Sequence, residues 1–241
     1  MILSINSKNF ISEFINPVSE LVSDGRTPIF INDLSELYSI SSSKNNAVRL
    51  YNIYRQIKIS DPINRFNINI DTLKKALLCI KQDFIDFTVD KEALKYADDF
   101  IKLNIRLLDD STIGLAVFNL NVFKALSIDF STTITSDILM DLKRAKDFAS
   151  ETSKFYLQKE GENIYLYFGD RLKSHTSNIR VKISDKFTGN ISESIYDTEI
   201  LSHALNTKQE ILLKYSNVGA LILEINQEHS TLNYITTQIK K

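Results

Sequence analysis

The chain has 241 residues, enough for two modest domains or one large one, and its 43% hydrophobic and 24% charged residues are ordinary for a folded protein. A formal net charge of −1 excludes a body that is basic overall, so any contact with nucleic acid must come from a local cationic surface. The single cysteine, Cys79, excludes an intrachain disulfide framework or thiolate metal site, and its setting in Leu77-Leu78-Cys79-Ile80 reads as a small buried hydrophobe.

The opening Met1-Ile2-Leu3-Ser4-Ile5-Asn6 is too short and interrupted for a signal peptide and alternates like a strand. Ser7 offers an N-cap to a helix carrying Phe10, Ile11, Phe14 and Ile15, with a break or restart expected near Asn16 because Pro17 lacks an N–H. Strands are predicted over Pro28–Ile31, Leu37–Ser41, the long run Val48–Ile59, and Phe66–Ile70. Asp71 and Thr72 then cap an amphipathic helix with Leu73, Ala76, Leu77 and Ile80 inward and Lys74, Lys75 and Lys81 elsewhere. Phe84–Val89, Ile101–Leu108 and Thr112–Phe118 complete the first half as strands, and Asp98-Asp99 and Asp109-Asp110 read as turns.

The second half repeats this order. Ala125–Ile134 reads as a strand, and Thr135 caps a helix with Ile138, Leu139, Leu142, Ala145 and Ala149 inward. Phe155–Gln158 and Ile164–Phe168 flank a turn at Glu160-Gly161-Glu162-Asn163, and Ile179–Ile183 follows as another strand. Asp197 caps a short helix with Ile200, Leu201, Ala204 and Leu205 inward, before strands at Gln209–Tyr215, Ala220–Ile225 and Leu232–Thr237. The longest apolar stretches, such as Gly219–Leu223, fall far short of a membrane span. The expectation is a soluble, intracellular protein, and the heavy use of Ile, Asn and Lys hints at an AT-rich phage or similar replicon.

An internal repeat organises these elements. Leu73, Ala76 and Leu77 match Leu201, Ala204 and Leu205 at an offset of 128, which also carries Ser7 onto Thr135 and Phe84 onto Leu212. Helices that bury one stripe must lie on a sheet, and consecutive strands joined by short turns make antiparallel sheets. The prediction is an α+β protein of two tandem similar domains, residues 1–118 and 126–241, with a linker at 119–125.

Catalysis has little to draw on. The six glycines form no phosphate-cradling loop, and His175, His203 and His229 lack metal-ligand spacing. Asp137 and Asp141 share a helical face in a pattern that can hold Mg²⁺, although carboxylates beside Lys143 and Arg144 more often balance charge. No enzyme, cofactor or metal is expected.

The ground plan, with Thr135–Ala145, Phe155-Tyr156-Leu157, Gly161–Tyr167 and the ending Leu232-Asn233-Tyr234-Ile235, resembles the DNA sliding clamp family of archaeal and eukaryotic proliferating cell nuclear antigen and the phage clamps. The resemblance covers essentially the whole chain and rests on order and extent more than on one motif. It implies clamp domains with helices lining a ring and antiparallel sheets outside. Six such domains close a ring, hence a homotrimer around duplex DNA, bound without base readout, with a DNA polymerase and a clamp loader as partners and no membrane. DNA-facing residues would be Lys74, Lys75 and Lys81 in the first domain and Lys143, Arg144 and Lys146 in the second, unless these are simply solvated helix faces. His203 and Lys208 would add little, and the first helix sets Lys8 against Glu13 and Glu20. A partner-peptide pocket would use Leu120, Val122, Phe123, Tyr234 and Ile235, which could equally just pack between domains. Subunit contacts are expected at Ile179–Ile183 and near the end of the first domain. The rival reading is a phage capsid or tail protein with a duplicated β-rich fold. A metal-dependent nuclease or phosphatase would need a convergent carboxylate cluster.

Overall fold

The computed structural model describes residues 1–60, 65–112, 120–169 and 177–239. It divides into two compact units, Met1–Phe118 with Gln227–Leu232, and Asn119–Asn226 with Asn233–Lys241. Among the described residues no helix is long and apolar enough to cross a membrane.

The first unit opens with β1 (Ile2–Asn6) and a continuous helical run made of α1 (Ser7–Phe10), a π-helical segment (Ile11–Ile15) and α2 (Asn16–Leu21). There follow β2 (Arg26–Ile31), β3 (Leu37–Ser42), β4 (Arg49–Tyr54), β5 (Ile57–Ile59), β6 (Arg65–Asn69), α3 (Ile70–Cys79), β7 (Phe84–Val89), β8 (Ala93–Ala97) and β9 (Lys102–Arg106). One sheet runs β5-β1-β7-β8-β9, and β4, β3, β2 and β6 are hydrogen-bonded in that order. Their pairings are antiparallel. The helical run packs on β3 and β4. Its core anchors, Phe10 and Phe14, stack at 4.9 Å, with Tyr54 of β4 edge-on to Phe10 at 5.1 Å. Ring pairs in such offset or edge-on geometry add to the hydrophobic burial.

Pro17 does not end the helical run. It falls in the first turn of α2, where a missing N–H is tolerated, and the π-helical segment immediately precedes it. The carbonyls of Glu13 and Phe14 accept hydrogen bonds from Asn52 Nδ2 on β4, at 3.4 and 3.2 Å. A side chain thus supplies a donor where the backbone has none.

The second unit contains α4 (Leu120–Lys124), β10 (Phe130–Ile134), α5 (Ser136–Phe148), β11 (Lys154–Glu160), β12 (Asn163–Phe168), β13 (Ile179–Ser184) and β14 (Ser194–Asp197). It continues with α6 (Glu199–Ala204), β15 (Ile211–Ser216), β16 (Ala220–Asn226) and β17 (Ser230–Thr237), of which Asn233–Thr237 belongs to this unit. Its strands are ordered β10-β15-β16-β17 and β13-β12-β11-β14. These orders repeat those of the first unit: β1-β7-β8-β9 corresponds to β10-β15-β16-β17, and β4-β3-β2-β6 to β13-β12-β11-β14. The offset of 128 carries β1 onto β10 residue for residue, and among the described strands β5 alone has no counterpart. The molecule is therefore a mixed helix-and-sheet protein of tandem similar halves with antiparallel sheets.

Several local expectations need correction. The caps are Asn6, which accepts from Asn9 N at 3.1 Å, and Asn69, which accepts from Thr72 N at 2.9 Å, rather than Ser7 and Asp71-Thr72. Ser7 instead donates to Gln82 O. The N-cap of α6 is Thr198, with Asp197 Oδ1 accepting from Glu199 N at 2.8 Å. The run Val48–Ile59 is two strands, because the chain changes sheets at Arg55-Gln56: β4 pairs with β3, β5 with β1. The strand predicted from Ala125 begins only at Phe130; before it, Leu120–Lys124 forms α4. The short strands β8 and β14 escape the sequence pattern. Cys79 is exposed, not buried, because it follows Leu78 onto the solvent side of α3. The strand predicted at Thr112–Phe118 lies outside the described residues but for Thr112, which ends a 3₁₀ turn.

Candidate nucleic-acid interface

On α3 the periodicity that buries the core also sets out the cations. Ile70, Leu73, Ala76 and Leu77 face inward, while Thr72, Lys75, Leu78 and Cys79 are exposed. Lys74 lies half-buried on the flank, and Lys81 is exposed beyond the helix end. Among the described residues none of these three lysines forms an ion pair. The carboxylate of Asp71, in the first turn, accepts a hydrogen bond from Ser19 Oγ at 2.6 Å, tying α2 to α3.

On α5 the arrangement differs. Leu139, Leu142 and Ala145 are buried, and the opposite side exposes Asp137, Met140, Asp141, Arg144, Asp147 and Phe148. That stripe sets three carboxylates against one guanidinium, and Arg144 Nη1 already lies 3.4 Å from Asp141 Oδ1. Both partners are exposed, so the pair is weak. Lys143 and Lys146 sit half-buried on the flanks, and Lys143 Nζ donates to Thr207 O at 3.3 Å. The sequence places Asp137 and Asp141 on one helical face, and the structure adds Asp147 to that stripe.

Other helices contribute little free positive charge. Lys8 is held by Asp83 at 2.8 Å, Glu20 is exposed, and Glu13 accepts from the His229 backbone N–H at 2.9 Å. On α6, His203 stands 3.9 Å from Glu199 and stacks on Tyr234, while Lys208 is exposed. The candidate peptide-pocket residues divide in two. Val122 is exposed and Leu120 and Phe123 are half-buried on α4, whereas Tyr234 and Ile235 are core residues. Tyr234 and Ile235 can serve a pocket only as its floor.

Among the described residues no group of three or more His, Cys, Asp or Glu side chains is disposed to hold a metal ion. The most perturbed carboxylates, Asp90 and Asp98, belong to strand turns. Asp98 is held down to about 2, first by the Tyr96 hydroxyl at 2.7 Å and then by the backbone N–H groups of Phe100 and Ile101. Asp90 is held down to about 2 by Lys95 and two backbone N–H groups. Such groups stabilise turns and are not aimed at a substrate.

No protein-family model matches the sequence, and no curated protein matches it. Solved structures do match over the whole chain. A. fulgidus PCNA, seen with the C-terminal region of FEN-1, is 12% identical with a TM-score of 0.73, covering 100% of this chain and 99% of that one. The Helicobacter pylori beta clamp bound to a DNA ligase peptide is 12% identical with a TM-score of 0.71, covering 100% of this chain and 67% of that one. The PCNA2–PCNA3 complex of Sulfolobus tokodaii is 10% identical with a TM-score of 0.67, covering 99% of both chains. At this level of identity the likeness establishes the fold.

Proposed function

We propose that this chain, which has the sliding-clamp fold, is a non-enzymatic DNA polymerase processivity factor that closes into a homotrimeric ring around duplex DNA. The observation that carries the reading is the tandem repeat of one strand order in a chain that spans 99% of an A. fulgidus PCNA chain. If six such units close a ring, a two-unit chain needs three copies. Identical head-to-tail contacts close when their rotation sums to a full turn. The described sheets leave β9 and β13 at edges, and unpaired edges of this kind are templates for pairing with another chain. We assign the subunit contact to them.

Enclosure retains DNA by topology, so the inner surface needs only loose contacts to phosphates and no base readout. Lys74, Lys75 and Lys81 are the foremost phosphate contacts in the first unit. Lys143, Arg144 and Lys146 act in the second, against the opposing field of Asp137, Asp141 and Asp147. Client proteins, the polymerase and a clamp loader among them, dock short apolar segments beside α4, at Leu120, Val122 and Phe123 over the Tyr234–Ile235 floor. Two of the structural neighbours are seen with peptide segments of other proteins, which supports this reading. The work is done where the DNA is, inside the cell, and in the host cytoplasm if a phage encodes the chain.

Light scattering coupled to size exclusion tests the ring. A mass of three 27.6 kDa chains is expected, followed by retention on circular DNA and loss from linear DNA. A strict monomer at high concentration, with no retention on circular DNA after loading, sinks the proposal.

A further inference from the structure

The inner face of the first unit's β2-β3-β4 sheet carries polar side chains where the helical run covers it. Thr27, Ser39 and Asn52 are fully buried and Ser41 is 5% exposed. Thr27 Oγ1, Ser39 Oγ, Ser41 Oγ and Asn52 Oδ1, together with Asn16 Oδ1 on α2, are buried without a hydrogen-bond partner in the protein. The register brings the four strand residues together. Ser39 is opposite Asn52 on one side and Ile29 on the other. Thr27 and Ser41 lie two residues along from Ile29 and Ser39, so they share that face and neighbour one another.

The orientation of Asn52 follows from its partners. Its Nδ2 donates to the Glu13 and Phe14 carbonyls of the π-helical segment, so its Oδ1 points the other way, into the sheet-side seam. Asn16 begins α2 just past those carbonyls, and α2 packs on β3 and β4. Four polar atoms on β2, β3 and β4 therefore share one seam under the helical run, and Asn16 Oδ1 is a further unpaired buried atom on α2. Leaving so many buried groups unpaired would be costly in a stable unit.

We infer that this seam is a built site for ordered internal water, which completes the hydrogen bonding of Thr27, Ser39, Ser41 and Asn52. The donor and acceptor inventory selects water over a cation. Three hydroxyls offer protons that need acceptors, and one amide oxygen needs a donor. Water both donates and accepts, whereas a monovalent cation would take the oxygen lone pairs and leave the hydroxyl protons unmatched. Water in such sites makes several hydrogen bonds and is costly to remove. The inference is independent of the ring and of DNA.

A crystal structure of the unmodified protein, at a resolution that shows ordered solvent, is the first test. Water within about 2.7–3.2 Å of at least two of the four atoms is expected. A dry seam overturns the inference. Thr27→Val and Ser39→Ala, which keep volume nearly constant, are the second test. Each is expected to lower the melting temperature by roughly 2–4 °C, the shift for removing one net hydrogen bond in a chain of this size. Unchanged or raised melting temperatures in both variants count against bound water. A melting temperature that rises when potassium or sodium chloride replaces choline chloride at constant ionic strength would assign the seam to a cation and overturn the proposal.

Discussion

Asn52 lies fully buried on β4 and compensates two carbonyls at the point where Pro17 interrupts the backbone ladder. Replacing it by leucine keeps approximate bulk but removes the side-chain donor from the carbonyl that Pro17 cannot serve, at a cost of about 1–3 kcal/mol. The denaturant midpoint should fall accordingly, and an unchanged midpoint would refute the role. Asp98 gives a second prediction. Its carboxyl is held to about 2 against an ordinary 3.8, while burial and then the Asp98 carboxylate push the Tyr96 phenol up to about 12. Because the folded value of Asp98 is the lower one, its contribution is complete above the unfolded value and disappears as pH falls from about 4 towards 2. Carboxyl chemical shifts should show the depressed titration, and Asp98→Asn should remove that part of the acid sensitivity. Cys79, being exposed, should react stoichiometrically with a thiol reagent in the native protein. Protection until unfolding would contradict its placement.

At the scale of helices, charge placement matters more than charge count. Lys75 on α3 and Lys81 just beyond it are exposed and no described carboxylate pairs with them, whereas α5 presents Asp137, Asp141 and Asp147 beside Arg144. Under the proposed function, Lys75→Glu with Lys81→Glu should weaken processive synthesis and flatten the salt dependence of DNA binding by about 0.9 for each phosphate no longer neutralised. Charge reversal at Lys143 and Arg144 should also weaken processivity without preventing assembly, but by less, since Lys143 is tied to Thr207 O. Equal effects from the two pairs would show that the acidic stripe on α5 does not face the DNA.

For the whole molecule, duplication explains why so few distinctive residues suffice. Each half needs only a buried stripe on two helical segments and alternating strands to build the same two sheets. Leu73, Ala76 and Leu77 recur as Leu201, Ala204 and Leu205, all buried. If the molecule acts as a closed ring, its stability is coupled to concentration, because dissociation exposes the β9 and β13 edges. The melting temperature should then rise with protein concentration; a value that stays constant would point to a ring held shut by something other than these edges.

The sequence by itself determined the repeat, the order of elements in each half and the inward stripes of α3, α5 and α6, because periodicity is a local property of the chain. The mixed helix-and-sheet class followed, since one-sided helices require sheets to cover them. Only the tertiary structure decided where a strand run changes sheets, as at Arg55-Gln56, since β4 and β5 have similar local propensities and differ only in their partners. β8 and β14 were illegible for the same reason: Ala93-Leu94-Lys95-Tyr96-Ala97 and Ser194-Ile195-Tyr196-Asp197 become strands through the neighbours they pair with. The candidate interface was legible as residue types but not as a surface. Lys143, Arg144 and Lys146 look alike in sequence, yet among the described residues one meets a backbone carbonyl, one an aspartate and one neither; Asp141 is three residues from Arg144, whereas Thr207 is distant in sequence and reaches Lys143 only on folding.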